Sequence, residues 1–479
     1  MRYGVFRLRF AWALGAICLS ACNVGPDYQP PRQPMPAAWS STSTNEASVS
    51  VQEPIEIDAW WTAFNDEELD SLVRRAVTSN LDVEAAAERV RQARASVGVA
   101  RAGYYPTVDA SGSYTYSRLG TDSTQSLWQV GLDALWEIDI FGGTRRSVEA
   151  ANANLEAAVE DRRDVLVTLL GELATDYFAL RGFQQELVIA RQNLEVQVRN
   201  AKLTRDKKKL GTGTGLDVAQ SDAQVASTRA QIAAFEELRQ QTVFAISVLL
   251  GLAPASLVQE LAPLGMIPEP AGVLAVGIPA DLLRRRPDIR RAEQQLAAAT
   301  AEVGVATADR YPKFSLAGTL GLQGNRVQSL GTLNDRFWSI GPAFTVPVFD
   351  AGRISSNIEV QSSIQAQALT VYEKTVLAAL QEVESALVGF AREQERRAAL
   401  ADAVTANQRA FEIASNRYSH GVTDFLAVLD AERSLFISQD ALVQSNRAVG
   451  TNAIALYKAL GGGWQIGEDT QPPQSAGTR

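Results

Sequence analysis

Between residues 107 and 117 apolar and polar side chains alternate at every position. Val108, Ala110, Gly112, Tyr114 and Tyr116 share one face; Thr107, Asp109, Ser111, Ser113, Thr115 and Ser117 share the other. Residues 127–140 repeat the pattern, with Trp128, Val130, Leu132, Ala134, Trp136, Ile138 and Ile140 opposite Gln129, Asp133, Glu137 and Asp139. Two later runs do the same: residues 313–323, with Phe314, Leu316, Leu320 and Leu322, and residues 337–348, with Trp338, Ile340, Phe344, Val346 and Val348. Period 2 is the signature of a strand with one apolar face. Each run is about 10 residues, the length of a tilted strand that crosses a bilayer, and Tyr and Trp fall near strand ends, where an aromatic girdle sits. The face of a soluble β-sandwich would alternate in the same way. The strand count separates the two readings. Four strands cannot close a membrane barrel and an open edge cannot face lipid, so a membrane reading requires several chains to share one barrel, each giving four strands.

A second period follows each pair of strands. Val159, Leu166, Leu173, Leu180, Leu187, Leu194 and Ala201 recur every seven residues in a stretch without proline from residue 144 to 209. Leu369, Val376, Val383, Phe390, Val404 and Phe411 form the same stripe 210 residues later, interrupted by Arg397. A strict seven-residue stripe implies helices with left-handed supercoiling, and at 1.5 Å per residue they run to roughly 100 Å. A coiled-coil stalk shares this pattern. Strands at one end of each helix and glycine turns at the other favour a long tube.

The two periods belong to a duplicated plan. Tyr105-Pro106 recurs as Tyr311-Pro312, Trp128 as Trp338, the stretch at residues 141–145 as that at 349–353, Gly211 as Gly421 and Leu250-Gly251 as Leu460-Gly461, at offsets of 206, 210, 208, 210 and 210. Each half reads helix, two strands, long helix, glycine turn, helix. The repeats are placed at residues 63–251 and 279–461, with framing segments at 22–62, 252–278 and 462–479.

The first residues stand apart. Arg2, Arg7 and Arg9 precede an apolar run at residues 10–19, and Leu19-Ser20-Ala21-Cys22 resembles a bacterial lipobox. Residues 1–21 therefore read as a secretory signal peptide and Cys22 as the lipidated residue; a plain signal with a chance cysteine is the alternative. Cleavage removes three arginines and no acid, leaving 42 basic against 54 acidic residues, a net of −12 from the full chain's −9. That sign argues against nucleic acid as a main partner. Cys18 leaves with the signal and Cys22 carries lipid, so no thiol remains for a disulfide, a metal or catalysis. His420 is the single histidine, which rules out a His-based zinc site. No G-x-S-x-G, P-loop or HExxH occurs. The GTGTG at residues 211–215 follows a helix instead of a strand and fails the context of a nucleotide loop. No catalytic site, cofactor or metal is expected.

The segment between the halves, GIPADLLRRRPDIRRAE at residues 277–293, closely resembles the fingerprint of the TolC-like outer-membrane efflux ducts in their lipoprotein, NodT-type branch. CNVGPDY at residues 22–28, WEIDIFG at 136–142 and LYKALGGGW at 456–464 resemble it too, in the right order across nearly the whole mature chain. Physically, RRRPDI is a helix start: Pro287 pushes Arg286 to extended geometry and suits the first helical turn, and Asp288 favours the positive helix end. Its role reads as structural. The resemblance implies a homotrimer with a twelve-stranded outer-membrane β-barrel, four strands per chain, continued by a twelve-helix periplasmic α-barrel with an equatorial belt. It implies a passive export duct, with a periplasmic adaptor (a membrane fusion protein) and an inner-membrane pump of the RND class as partners. By resemblance to sorting signals, Asn23 after the lipidated cysteine favours the outer membrane.

The resemblance also makes the glycine turns the periplasmic end, so Gly211, Thr212, Gly213, Gly421, Val422 and Thr423 become the adaptor-contact positions. Beyond Gly421, at about 100° per residue, Phe425, Val428, Leu429 and Phe436 form a packing stripe, while Leu426, Asp430 and Arg433 form another. The family's lumen constriction carries over to that second set. Three copies of Leu426 would narrow the pore, and Asp430 would pair with Arg433 across subunits. A solvated i,i+3 ion pair is the alternative. Residue 220, the counterpart of Asp430, is glutamine, which assigns the gate to the second turn. Lys207-Lys208-Lys209 reads as a solvated run, with adaptor contact as the other option. Protein secretion, a coiled-coil envelope lipoprotein and a lipid-anchored hydrolase using carboxylates stand as alternative functions; the hydrolase would need two carboxylates in a cleft that heptad helices do not offer.

Overall fold

The computed structural model describes residues 23–40, 49–50, 57–119, 123–270, 274–329 and 335–466. The signal peptide, Cys22 and the tail after residue 466 lie outside them. The duplication is metrical. A helix α3 (Gly143–Lys209) is matched by α7 (Arg353–Ser419), both of 67 residues, and the return helix α4 (Gly215–Leu249) by α8 (Phe425–Ala459), both of 35 residues. Ahead of each long helix stand a shorter helix and a hairpin. These are α2 (Leu81–Ala102) with β2 (Thr107–Leu119) and β3 (Ser123–Ile138), then α6 (Pro287–Ala308) with β5 (Lys313–Gly324) and β6 (Arg336–Thr345). A first helix α1 (Glu67–Ser79) and a short α5 (Leu282–Arg285) complete the helices. Two residues of β1 (Val49–Ser50) pair in parallel with β4 (Leu274–Ala275), joining the N-terminal segment to the inter-repeat link.

The chain divides into two compact units, and the long helices run from one into the other. The first holds the sheet, antiparallel in the order β2-β3-β5-β6. Its hairpins obey the repeat to the residue. Asp109 faces Asp133 in the first, and their counterparts Ser315 and Ala343 face each other in the second. Strand bounds differ from the sequence expectation: β2 runs on to Leu119 and β3 already begins at Ser123, while two strands stop short. The strand expected at residues 127–140 stops at Ile138, because the Asp139 carboxylate accepts the backbone N–H groups of Thr144 at 3.2 Å and Arg145 at 2.9 Å and so starts α3. The strand expected at 337–348 stops at Thr345, ahead of Pro347, which has no N–H for a ladder. Asp350 then takes the N–H groups of Gly352 and Ile354 and opens α7.

The second unit holds the aromatic core and the glycine turns. Trp60 stacks on Tyr457 at 5.4 Å, and Phe64 meets Phe178 edge-on at 5.0 Å. The heptad stripe faces inward here: Leu166, Leu173, Leu180, Leu187 and Ala201 of α3 and Val376, Val383 and Phe390 of α7 are buried. The RRRPDI segment is a structural joint. Arg286 is extended (ψ 118°) before Pro287, which opens α6. Its buried guanidinium grips Asp288 through two bonds of 2.7 and 3.0 Å, Glu382 at 2.7 Å and the Ala459 carbonyl at 2.8 Å. The link between the repeats is thereby tied to α7 and to the end of α8. Losing either partner would leave a buried charge uncompensated.

Close helix packing explains Gly450 in the middle of α8. A Cβ there would sit 2.0 Å from Cε1 of Phe178. Gly450→Ala is expected to lower stability by about 1–3 kcal/mol despite alanine's better helix propensity; the thermal midpoint of the detergent-solubilised protein, compared with wild type, checks it.

Candidate functional site

Two features are incomplete in the single chain. The first is the sheet. Its outer edges, on β2 and β6, have no strand partner among the described residues, and its apolar face is bare: Trp338 is 73% exposed, Phe344 70% and Tyr116 65%. At the inner junction of the hairpins Phe141 stacks on Tyr311 at 4.7 Å. The repeat-related pair, Phe349 and Tyr105, stands 89% and 71% exposed. No helix among the described residues is long and apolar enough to cross a membrane.

The second feature is the pair of glycine turns. Each closes a 67-residue helix with the same Schellman bonds. Thr212 N–H reaches the Lys207 carbonyl and Gly211 N–H that of Lys208; Val422 and Gly421 reach Arg417 and Tyr418 in the same way. Gly211 and Gly421 hold φ of +75° and +73°, a region that glycine enters without strain. The next helices are capped, α4 by Thr214 in a capping box with Asp217 and α8 by Asp424. Gly211, Thr212, Gly421 and Val422 are exposed, and Gly213 and Thr423 half-buried.

After the second turn, α8 turns Phe425, Val428, Glu432, Leu435 and Ser438 inward. Leu426 (52% exposed), Asp430 and Arg433 project from the opposite side. Asp430 and Arg433 are unpaired with each other, and neither has another partner among the described residues. An i,i+3 ion pair within the helix is therefore not formed. Of the expected packing stripe, Phe425 and Val428 are buried with Tyr418, while Leu429 and Phe436 are half-buried at its margin. His420 is exposed and bonded by Nδ1 to the Asn416 carbonyl at 2.8 Å.

Buried carboxylates are what the sequence reading missed. Glu432, seven residues after Phe425 and thus on the same stripe, is 4% exposed and accepts from the Asn200 amide at 3.0 Å; burial pushes its pKa up, against the lowering effect of Asn200 and Gln197. On α3, burial pushes Glu186 up to about 7, with Asp440 adding to the rise and Arg447 opposing it. Asp176 rises to about 6 through burial and its neighbour Glu172. The heptad position of Glu432 was the available signal; the burial of Glu186 comes from a partner helix about 250 residues away.

The model for outer membrane efflux proteins matches residues 72–252 and 278–462, once per repeat. The chain belongs to the outer membrane efflux protein family. Nodulation protein T of Rhizobium leguminosarum bv. trifolii is 33% identical over 95% of this chain and 97% of its own length. The solvent efflux pump outer membrane protein SrpC of Pseudomonas putida is 32% identical over 95% of this chain and 98% of its own. Among solved structures the outer-membrane channel OprN superposes with a TM-score of 0.86 at 36% identity, covering 93% of this chain and all of that one. The fold class follows: a homotrimeric channel in which four strands per chain make a twelve-stranded barrel, continued by periplasmic helices. This outer membrane efflux protein is a passive outer-membrane duct of a tripartite efflux system, extending into the periplasm, in a family of channels and not of enzymes.

The repeat then gives the register between subunits. Asp133 faces Thr319 inside the chain; their counterparts are Ala343 and Ser113. Ser113 of one subunit should face Ala343 of the next, as Tyr105 should stack on Phe349. With cysteines at both positions of one chain (Ser113→Cys, Ala343→Cys), oxidation is expected to give covalent trimers on denaturing gels. An Asp109→Cys, Ala343→Cys pair, slipped by about 13 Å, should stay uncross-linked because a disulfide spans less than about 7 Å between Cα atoms.

The raised carboxylates set a pH dependence. Glu186 and Asp176 hold protons in the folded chain above the pH at which they lose them unfolded. Their stabilising effect is complete below about pH 4 and is lost as pH rises through about 6–7. The thermal midpoint should fall between those limits, and Glu186→Gln should flatten the fall in melts run across that range.

Proposed function

We propose that the twin glycine turns form the periplasmic mouth of this duct, and that Leu426, Asp430 and Arg433 close it. The observation that carries this is the orientation of α8. Its packing face is filled, and an aspartate and an arginine one turn apart face away from it with no partner among the described residues. Around a threefold axis that face meets its own copies, so Asp430 of one subunit reaches Arg433 of the next while three Leu426 side chains narrow the path. The first turn lacks the set: Leu216 stands where Leu426 does, but Gln220 and Ala223 replace the charges.

Gly211, Thr212, Gly213, Gly421, Val422 and Thr423 are the adaptor-contact positions in this reading, with a periplasmic membrane fusion protein as partner and an RND-type pump beneath it. Exposed Leu210, Leu216 and Val422 beside them give an apolar contact surface. An adaptor opens the mouth by binding the splayed tips better than the closed ones. The repeats at residues 63–251 and 279–461 build barrel and tube, and segments 22–62, 252–278 and 462–479 build the belt, a division supported by the β1–β4 pairing and the Trp60–Tyr457 stack. Cys22, outside the described residues, carries the lipid. The cargo is small toxic molecules, of the kind that SrpC is named for. No step of catalysis is assigned.

In planar bilayers, Asp430→Ala with Arg433→Ala should raise the open fraction about fivefold or more, the effect of losing roughly 1 kcal/mol of coupling. Conductance no higher than that of wild type would remove the gate. Deleting the gene should raise cellular accumulation of dyes, antibiotics or solvents.

A further inference from the structure

The lysine run at the end of α3 does not behave as one solvated patch. Lys208 and Lys209 are exposed, and Lys209 reaches only Asp206 at 3.5 Å. Lys207 is half-buried and crosses to the other turn. Its ammonium donates to the backbone carbonyl of Tyr418 at 2.7 Å and stands 3.9 Å from the centre of the Tyr418 ring. Tyr418 lies in the last turn of α7, at the negative end of the helix, and its carbonyl accepts the Gly421 N–H at 3.1 Å as well, so Lys207 is its second donor. One side chain thus caps the helix that leads into the second turn and makes a cation–π contact with the same residue.

Tyr418 is an apt point of purchase. Its ring is 7% exposed and packs on Phe425 at 5.2 Å and on Val428. Those two residues are the inward face of the turns of α8 that carry Leu426 and Asp430 outward. Nearby, hydrogen bonds bridge α3 and α8: Asn200 to Glu432, and Asn193 to Gln439 at 3.3 Å. The Gln197 amide is buried beside Glu432 in the same polar seam. Such a face exchanges its hydrogen bonds for water at little net cost when the helices part. The α7–α8 hairpin, by contrast, is held together by the apolar cluster of Tyr418, Phe425, Val428 and Phe411. It is built to move as one piece, and what holds it to α3 at its end is Lys207.

We infer that Lys207 is an intrachain latch on the periplasmic gate: by gripping the carbonyl and ring of Tyr418 it holds the gate-bearing hairpin against α3 in the closed state. The inference rests on the gate proposed above and adds a positioning residue to it. The Tyr418 hydroxyl takes no part, for it is buried with no hydrogen-bond partner among the described residues; the carbonyl and the ring face carry the contact.

Four variants of the full-length trimer, each reconstituted in planar bilayers, test this. Lys207→Met keeps the stem and removes the charge; it should raise the open fraction about five- to thirtyfold. Lys207→Arg should remain near wild type, because a guanidinium both donates and stacks. Tyr418→Phe should match wild type, since only the hydroxyl is lost, whereas Tyr418→Leu, which removes the ring face, should open the channel. Asp430→Ala with Arg433→Ala serves as the reference for the gate itself. If that reference opens and Lys207→Met does not, the latch is wrong and the gate stands. If Tyr418→Phe opens the channel as far as Lys207→Met, the hydroxyl and not the lysine is the contact, and the latch is likewise wrong. If neither the reference nor Lys207→Met opens, the gate falls and the latch with it.

Discussion

Unpaired backbone polar groups at a sheet edge fix most of what this chain must be. The outer edges of β2 and β6 present rows of N–H and C=O groups beside an apolar face, and hydrocarbon offers them nothing to bond. Only closure removes the edges. The antiparallel sheet described in a single chain has four strands, too few to close around anything, so three chains share the work. Once they do, every element that follows a strand appears in multiples of three about one axis, and the long helices must continue the ring. Phe349 and Tyr105 at the strand ends and Asp430 and Arg433 at the tip are exposed in one chain, and in the reading proposed above they are the places where the ring is completed.

The duplication makes that closure economical, because one contact design serves inside and between chains. The second repeat keeps helix lengths and strand register, and it departs from the first where the halves have different tasks. Residues 216, 220 and 223 are Leu, Gln and Ala; residues 426, 430 and 433 are Leu, Asp and Arg. Asp222 in the first hairpin pairs with Arg205 near the surface, while its counterpart Glu432 is buried against Asn200. The first hairpin carries a surface ion pair, and its twin carries Asp430 and Arg433, for which the proposed partners are the neighbouring subunits.

How much of this was legible in the sequence depended on how far apart the interacting residues lie. Period 2 found all four strands because each alternation is local, and it missed their bounds: the hairpin extension over 118–119 and 123–126, and the ends before Asp139 and Pro347. Period 7 found the long helices for the same reason. RRRPDI declared a helix start through proline and aspartate, but not that Arg286 would reach Glu382 and Ala459. Lys207 looked like one of three solvated lysines because its partner, Tyr418, is 211 residues away. Glu432 was passed over because a carboxylate on a packing stripe reads as an error in the stripe, although its spacing from Phe425 marks the face it occupies.

The gate proposed above is made of weak parts. An exposed ion pair contributes at most about 1 kcal/mol, and a capped carbonyl with a cation–π contact is of similar size. One such set would leave a mouth that flickers open. Threefold symmetry supplies three sets, and because the tips meet at one axis they cannot part singly without distorting the others, so their energies act together. The resulting bias is large enough to keep a hole in the outer membrane shut. It is also small enough to be outweighed by an adaptor that gains a few contacts on the exposed turns in the splayed state. Stronger apolar packing between α3 and α8 would hold the mouth more firmly, but the cost of opening would then exceed what contacts on two short glycine turns can return. The polar seam along Asn193, Gln197, Asn200 and Glu432 keeps that cost low.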